Sequence, residues 1–81
     1  MSQLPGLVED GTKIPTTALE TEVQKHSLRI LGHLAVGEHY MKQLFELYPK
    51  FLELATHEEI DVETKLFVAM IIGNIARQGN Y

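Results

Sequence analysis

Cysteine and tryptophan are both missing from this chain of 81 residues. Without cysteine there is no disulfide framework, no thiolate metal ligand and no cysteine nucleophile. A reducing, cytoplasmic location is therefore the natural expectation. Basic residues are few: 7 Lys and Arg stand against 11 Asp and Glu, for a net charge of −4. That balance argues against a general attraction to nucleic acid or to an anionic membrane. The longest apolar run, Leu66–Ile72, is far too short to cross a bilayer. The opening MSQLPGLVED lacks the basic and apolar regions of a secretory signal.

What is present is enough for a core, since 44% of the residues are hydrophobic and 22% charged. The length suits one small domain or a piece of a larger one. The chain also repeats itself. Val62–Tyr81 lies over Thr21–Tyr40 at a shift of 41 positions, with Glu22 on Glu63, Ile30 on Ile71, Gly32 on Gly73, Ala35 on Ala76 and Tyr40 on Tyr81. A period of this size built on a helix is the mark of an armadillo or HEAT solenoid.

Taken in order, Leu4-Pro5-Gly6-Leu7-Val8-Glu9 and Tyr48-Pro49-Lys50-Phe51-Leu52-Glu53 share an apolar–Pro–x–apolar–apolar–acid order. Both read as starts of short helices, because proline at a first helical position forfeits an N–H that has no partner there. Gly11–Thr17 reads as a loop, and Thr17 with Glu20 as a capping box for a long helix over Ala18–Val36. Gly37 falls where a C′ glycine is expected. Glu38–Leu47 and Lys50–Thr56 follow as short helices. His57–Asp61 connects, with Asp61 as N-cap of a last long helix over Val62–Gln78, before Gly79. The two repeats then cover about residues 4–36 and 38–79.

At 100° per residue the last helix divides into three stripes. Val68, Ile71, Ile72 and Ile75 form a core side; Ala69, Gly73 and Ala76 form a small-residue side, expected in close contact with a neighbouring helix. Glu63, Phe67, Met70, Asn74 and Arg77 form the third. The first copy follows suit, with Ile30, Leu31 and Leu34; Gly32 and Ala35; and Glu22, His26, Arg29 and His33. In a solenoid, corresponding inner-helix positions line up across the concave face, which pairs His26 with Phe67, Arg29 with Met70 and His33 with Asn74. Two readings of this third stripe stand side by side. It is a ladder that binds a partner, or His33 and Asn74 tie down backbone carbonyls between helices.

Leu28-Arg29-Ile30-Leu31-Gly32-His33-Leu34-Ala35 and Ala69-Met70-Ile71-Ile72-Gly73-Asn74-Ile75-Ala76 resemble the third helix of armadillo repeats. The resemblance covers roughly Leu4 to Tyr81 and implies an all-α solenoid of three-helix repeats. In the importin-α branch a Trp precedes the Asn by four residues; Arg29 and Met70 stand there instead, which argues against that branch. Gly73-Asn74-Ile75-Ala76-Arg77 and Glu22-Val23-Gln24-Lys25-His26 are more similar to the small-GTPase GDP-dissociation stimulators. That similarity implies binding of prenylated Rho- and Rap-type GTPases through their basic tails, with stimulated release of nucleotide.

Catalytic and cofactor chemistry find little support. His26 and His33 are seven apart with Arg29 between them, beyond the i, i+4 reach of a single metal ion. His39 and His57 sit in connectors. Ser2 and Ser27 lack a nucleophile elbow, no phosphate loop occurs, and Glu58, Glu59, Asp61 and Glu63 read as a solvated helix start. Glu46/Lys50 and Glu22/His26 read as i, i+4 surface pairs. No enzyme activity, cofactor or metal is therefore expected. The competing readings are a structural or adaptor scaffold for an unrelated peptide and a self-contained small helical bundle. Because about three repeats are usually needed for stability, two should be marginal, at ~0–4 kcal/mol, or should associate through their open ends.

Overall fold

The structure is a computed structural model and describes residues 4–78. Five helices make up its regular structure: α1 (Leu4–Thr12), α2 (Ala18–Leu34), α3 (Met41–Glu46), α4 (Tyr48–Thr56) and α5 (Val62–Gln78). There is no strand among the described residues. The two long helices start where their caps say. The Glu20 N–H donates to Thr17 Oγ1 at 3.0 Å, and the Thr64 N–H donates to Asp61 Oδ1 at 2.8 Å, each satisfying a first-turn donor. The box at Thr17 is not reciprocal, however. The Glu20 carboxylate turns to Thr16, accepting from its N–H at 3.0 Å and its hydroxyl at 3.2 Å.

Other boundaries differ from expectation for identifiable reasons. α1 runs through Gly11 to Thr12 rather than breaking at the glycine. Gly11 is buried, and a Cβ there would lie 3.2 Å from Leu31 and 3.3 Å from Leu28, so the missing side chain lets α1 lie close on α2. Gln24, buried in α2, donates its amide to the carbonyls of Gly11 at 3.1 Å and Lys13 at 2.8 Å, satisfying acceptors that the helix end leaves open. α2 stops at Leu34 with Ala35 as its C-cap, and Gly37 is not left-handed, so the expected C′ glycine is not used. α3 begins at Met41, not Glu38, and α4 at Tyr48, with Pro49 in its first turn. Glu46 and Lys50 thus belong to different helices and are not an i, i+4 pair.

α1 packs on α2, α4 packs on α5, and α2 lies against α5, with α3 bridging α4 and α5. The extents of 38 × 30 × 16 Å suit two layers, since an interaxial spacing of about 8–10 Å plus the Cα radii fills the short axis. The core that the helices enclose is a single cluster of Leu28, Leu31, Ala35, Leu44, Phe51, Leu54, Ile60, Val68, Ile71 and Ile75, all buried. The core stripe of α5 is therefore as expected, with Ile72 only half-buried. The small stripe is not. Gly32 and Ala35 are buried, and a Cβ on Gly32 would come within 2.8 Å of the Met70 methyl. Ala69, Gly73 and Ala76 are exposed, and a Cβ on Gly73 would meet nothing within 4 Å. The expectation that both glycines sit in close helix contacts holds for Gly32 alone, because among the described residues no helix covers that side of α5. Gly79, Asn80 and Tyr81 lie outside the described residues.

Candidate functional site

α2 and α5 meet at a junction that concentrates charge. Asp61 caps α5 and Glu63 sits in its first turn, where carboxylates complement the helix dipole. Glu22 lies one turn before Lys25 on α2. The Lys25 ammonium is 3.3 Å from Asp61 Oδ2, 3.3 Å from Glu63 Oε1 and 3.5 Å from Glu22 Oε2. Its side chain is only 18% exposed, whereas the three carboxylates stay largely in water. Ion pairs with exposed partners contribute little stability. Here they join the start of α5 to the first half of α2.

Beside this cluster opens a recess of about 200 Å³ lined by Glu22, Lys25, His26, Arg29, Glu63 and Phe67. Phe67 is half-buried and packs against the core, giving the recess an apolar wall. Five of the nine third-stripe residues thus come together: Glu22, His26, Arg29, Glu63 and Phe67. The other four do not line the recess. Met70 lays its methyl over Gly32. Asn74 donates to the Gly32 carbonyl at 3.4 Å while its Oδ1 accepts from Arg77 at 2.7 Å, so these two are engaged with each other and with α2. His33 is exposed and its side chain makes no hydrogen bond among the described residues, so the carbonyl-tying role applies to Asn74 and not to His33. The expected Glu22/His26 pairing gives way to Glu22–Lys25.

Sequence reasoning missed two participants. Lys25 was legible only as a cation on α2 outside the third stripe; its partners Asp61 and Glu63 are brought to it by the packing of α2 on α5. Gln78 donates to the Val36 carbonyl at 2.6 Å, as Asn74 does to Gly32. The signal for this pair was available: two amides four residues apart, on one side of the last helix.

The cluster has a pH signature. Asp61 is held below its ordinary value of 3.8 chiefly by Thr64, whose backbone N–H donates to it, with burial opposing and Lys25 adding a lesser pull downward. Lys25 is raised above 10.5, chiefly by Asp61 and then Glu63, with partial dehydration opposing. Glu20 is lowered from 4.5 by the Thr16 N–H and hydroxyl, again against a small burial effect, and slightly by Lys13. For the two carboxylates the folded value lies below the unfolded one, so their contribution is present above about 4 and disappears as pH falls through the depressed values. For Lys25 the contribution is intact below 10.5 and disappears as pH rises through the raised value. Thermal melts between neutral and strongly acid pH should show stability falling below the ordinary carboxylate range. Asp61→Asn, which retains a capping oxygen, should flatten part of that fall. An acid limb identical to the wild type's would remove Asp61 from the account.

Chemically the recess offers exposed carboxylates, a largely covered ammonium and an aromatic wall. Three carboxylates converge on a point that Lys25 already occupies, and no group of three His, Cys, Asp or Glu side chains among the described residues is placed to hold a metal ion. No helix among the described residues is long and apolar enough to cross a membrane. No family model, curated protein or solved structure matches the chain.

Proposed function

We propose that the chain is a non-catalytic, protein-binding segment of armadillo type whose recognition site is the α2–α5 recess. The observation that supports this reading is the convergence of residues one repeat apart: Glu22 with Glu63, and His26 with Phe67, line one recess together with Arg29. A partner seated there touches both copies of the repeated helix, which is how solenoids build extended binding faces from small units. Three carboxylates stand against Lys25 and Arg29, so the junction stays acidic beside an apolar wall. That combination suits a basic segment carrying an apolar group. The finer reading is therefore a regulator of prenylated Rho- and Rap-type GTPases, which grips the basic tail and stimulates or chaperones nucleotide release without side-chain chemistry of its own.

Binding of prenylated Rho- and Rap-type GTPases tests both levels. Phe67→Ala and Arg29→Ala should each weaken binding by ~1–3 kcal/mol, the usual cost of truncating an interface anchor. Glu22→Gln with Glu63→Gln should weaken it in a salt-dependent way, because exposed charges are screened over ~10 Å at ~0.1 M. Lys42→Ala on α3 and Lys50→Ala on α4, both exposed and remote from the recess, serve as controls. Binding that responds to those lysines and ignores the recess would move the site to α3 and α4. A folded protein that binds none of these GTPases would leave the adaptor reading, with an unrelated peptide partner.

A further inference from the structure

The two long helices are covered on opposite sides. Along α2, Lys25 and Gly32 meet α5, and Leu28 and Ala35 are fully buried. The residues 41 positions on, Leu66, Ala69, Gly73 and Ala76, are all exposed, Leu66 by 66%. In the other direction, Ile60, Thr64 and Ile71 at and along α5 are buried. Their counterparts 41 positions back are Leu19, 74% exposed, Val23, 41% exposed, and Ile30, half-buried. Leu19 and Val23 also line an apolar recess of about 140 Å³ with Pro15, Asp10, Lys13 and Glu20. α5 thus leaves open the positions whose counterparts on α2 are covered, and α2 leaves open Leu19 and Val23, the counterparts of the buried Ile60 and Thr64.

We propose that a second copy of this chain occupies the uncovered side of α5, docking its α2 there head to tail and repeating the internal α2–α5 contact between molecules. The occupant follows from the register. The second copy's Arg29 takes the place that Met70 holds over Gly32, now over Gly73, where the space is open. Its His33, whose side chain makes no hydrogen bond among the described residues, takes the place of Asn74 and donates to the Gly73 carbonyl as Asn74 donates to that of Gly32. The internal ion pair is not reproduced, since Leu66 stands where Lys25 does, so apolar contact between Leu66 and the Leu19–Val23 side carries this junction. The interface is heterologous: it uses two different surfaces, and each added copy exposes a fresh one, so growth does not stop at the dimer. This inference does not depend on the GTPase reading.

Sedimentation of the full chain from micromolar to millimolar concentration tests it, with Leu19→Glu and Leu66→Glu as variants. Both positions are well exposed, so the folds should hold, and far-UV circular dichroism checks this. Wild type should gain mass continuously with concentration, past the dimer. Each variant alone should stay monomeric where the wild type has more than doubled its mass. An equimolar mixture of the two should form 1:1 dimers and nothing larger, because only the intact α2 side of Leu66→Glu and the intact α5 side of Leu19→Glu remain to meet. A wild type that stays monomeric throughout overturns the proposal. So does association abolished by one variant only, which marks a two-fold symmetric pairing, and so does a mixture that fails to dimerise.

Discussion

Phe51→Ala is expected to unfold most of the molecules at room temperature. Phe51 is the largest fully buried side chain among the described residues, carried by α4 and packed within the cluster that also contains Leu28, Leu31, Val68 and Ile71. Truncating a buried phenylalanine costs ~3–5 kcal/mol, the lost transfer energy plus the cavity left behind. A loss of that size is comparable with the whole stability of a domain this small. The next residue supplies the control. Leu52 is 45% exposed on the same helix, and Leu52→Ala should stay within ~0.5 kcal/mol of the wild type. Urea denaturation separates the two outcomes. Equal shifts of the midpoint for both variants would mean that α4 presents a different face to the core.

The second large effect is a contrast between two glycines that the sequence presents as equivalents. Gly32→Leu should cost ~1–3 kcal/mol or more, because the added side chain is driven into the α2–α5 contact. The first atom it meets is the Met70 methyl, the far end of a flexible side chain, with Ile71 3.7 Å away behind it. Gly32→Ala should therefore be much milder, with Met70 shifting and a gain of up to ~1 kcal/mol in helix propensity offsetting the strain. Gly73→Leu meets nothing within 4 Å and should be neutral to stabilising in the monomer, for the same propensity reason. Thermal melts at low concentration give the comparison. Severe loss at both positions would put a covered neighbour against Gly73 and restore the reading from sequence alone.

These glycines show where legibility ends. The span Val62–Gln78 could be read directly, because Asp61 supplies a cap and the apolar period is strong behind it. Thr17 did the same for α2. The all-helical class and the core side of α5 followed from that periodicity. Which of the remaining sides is covered could not be read, because α5 is apolar on nearly every side and carries Val62, Leu66 and Met70 in partial or full exposure. A helical wheel specifies faces, not neighbours. Gly11 shows the converse: a breaker by composition, it stays helical because the packing of α1 on Leu28 and Leu31 favours a residue without a side chain. At the candidate site the repeat located Glu22, His26, Arg29, Glu63 and Phe67 through their matched positions. It could not locate Lys25, whose counterpart is Leu66. Its importance arises from Asp61 and Glu63, more than thirty residues away, and appears only when α2 and α5 are laid together.

The recess, the glycine contrast and the association of copies all rest on one contact, the stacking of α2 on α5 with Met70 over Gly32. Nuclear Overhauser spectroscopy on protein labelled at its methionine methyl groups reads that contact directly. A strong cross-peak is expected between the Met70 methyl and the α-protons of Gly32, since that methyl lies 2.8 Å from where a Cβ would stand. A weaker set should link the same methyl with nearby protons of α2. A Met70 methyl that shows no contact with α2 and broadens with a soluble paramagnetic reagent as a free surface group would contradict the stacking, and with it the shared recess.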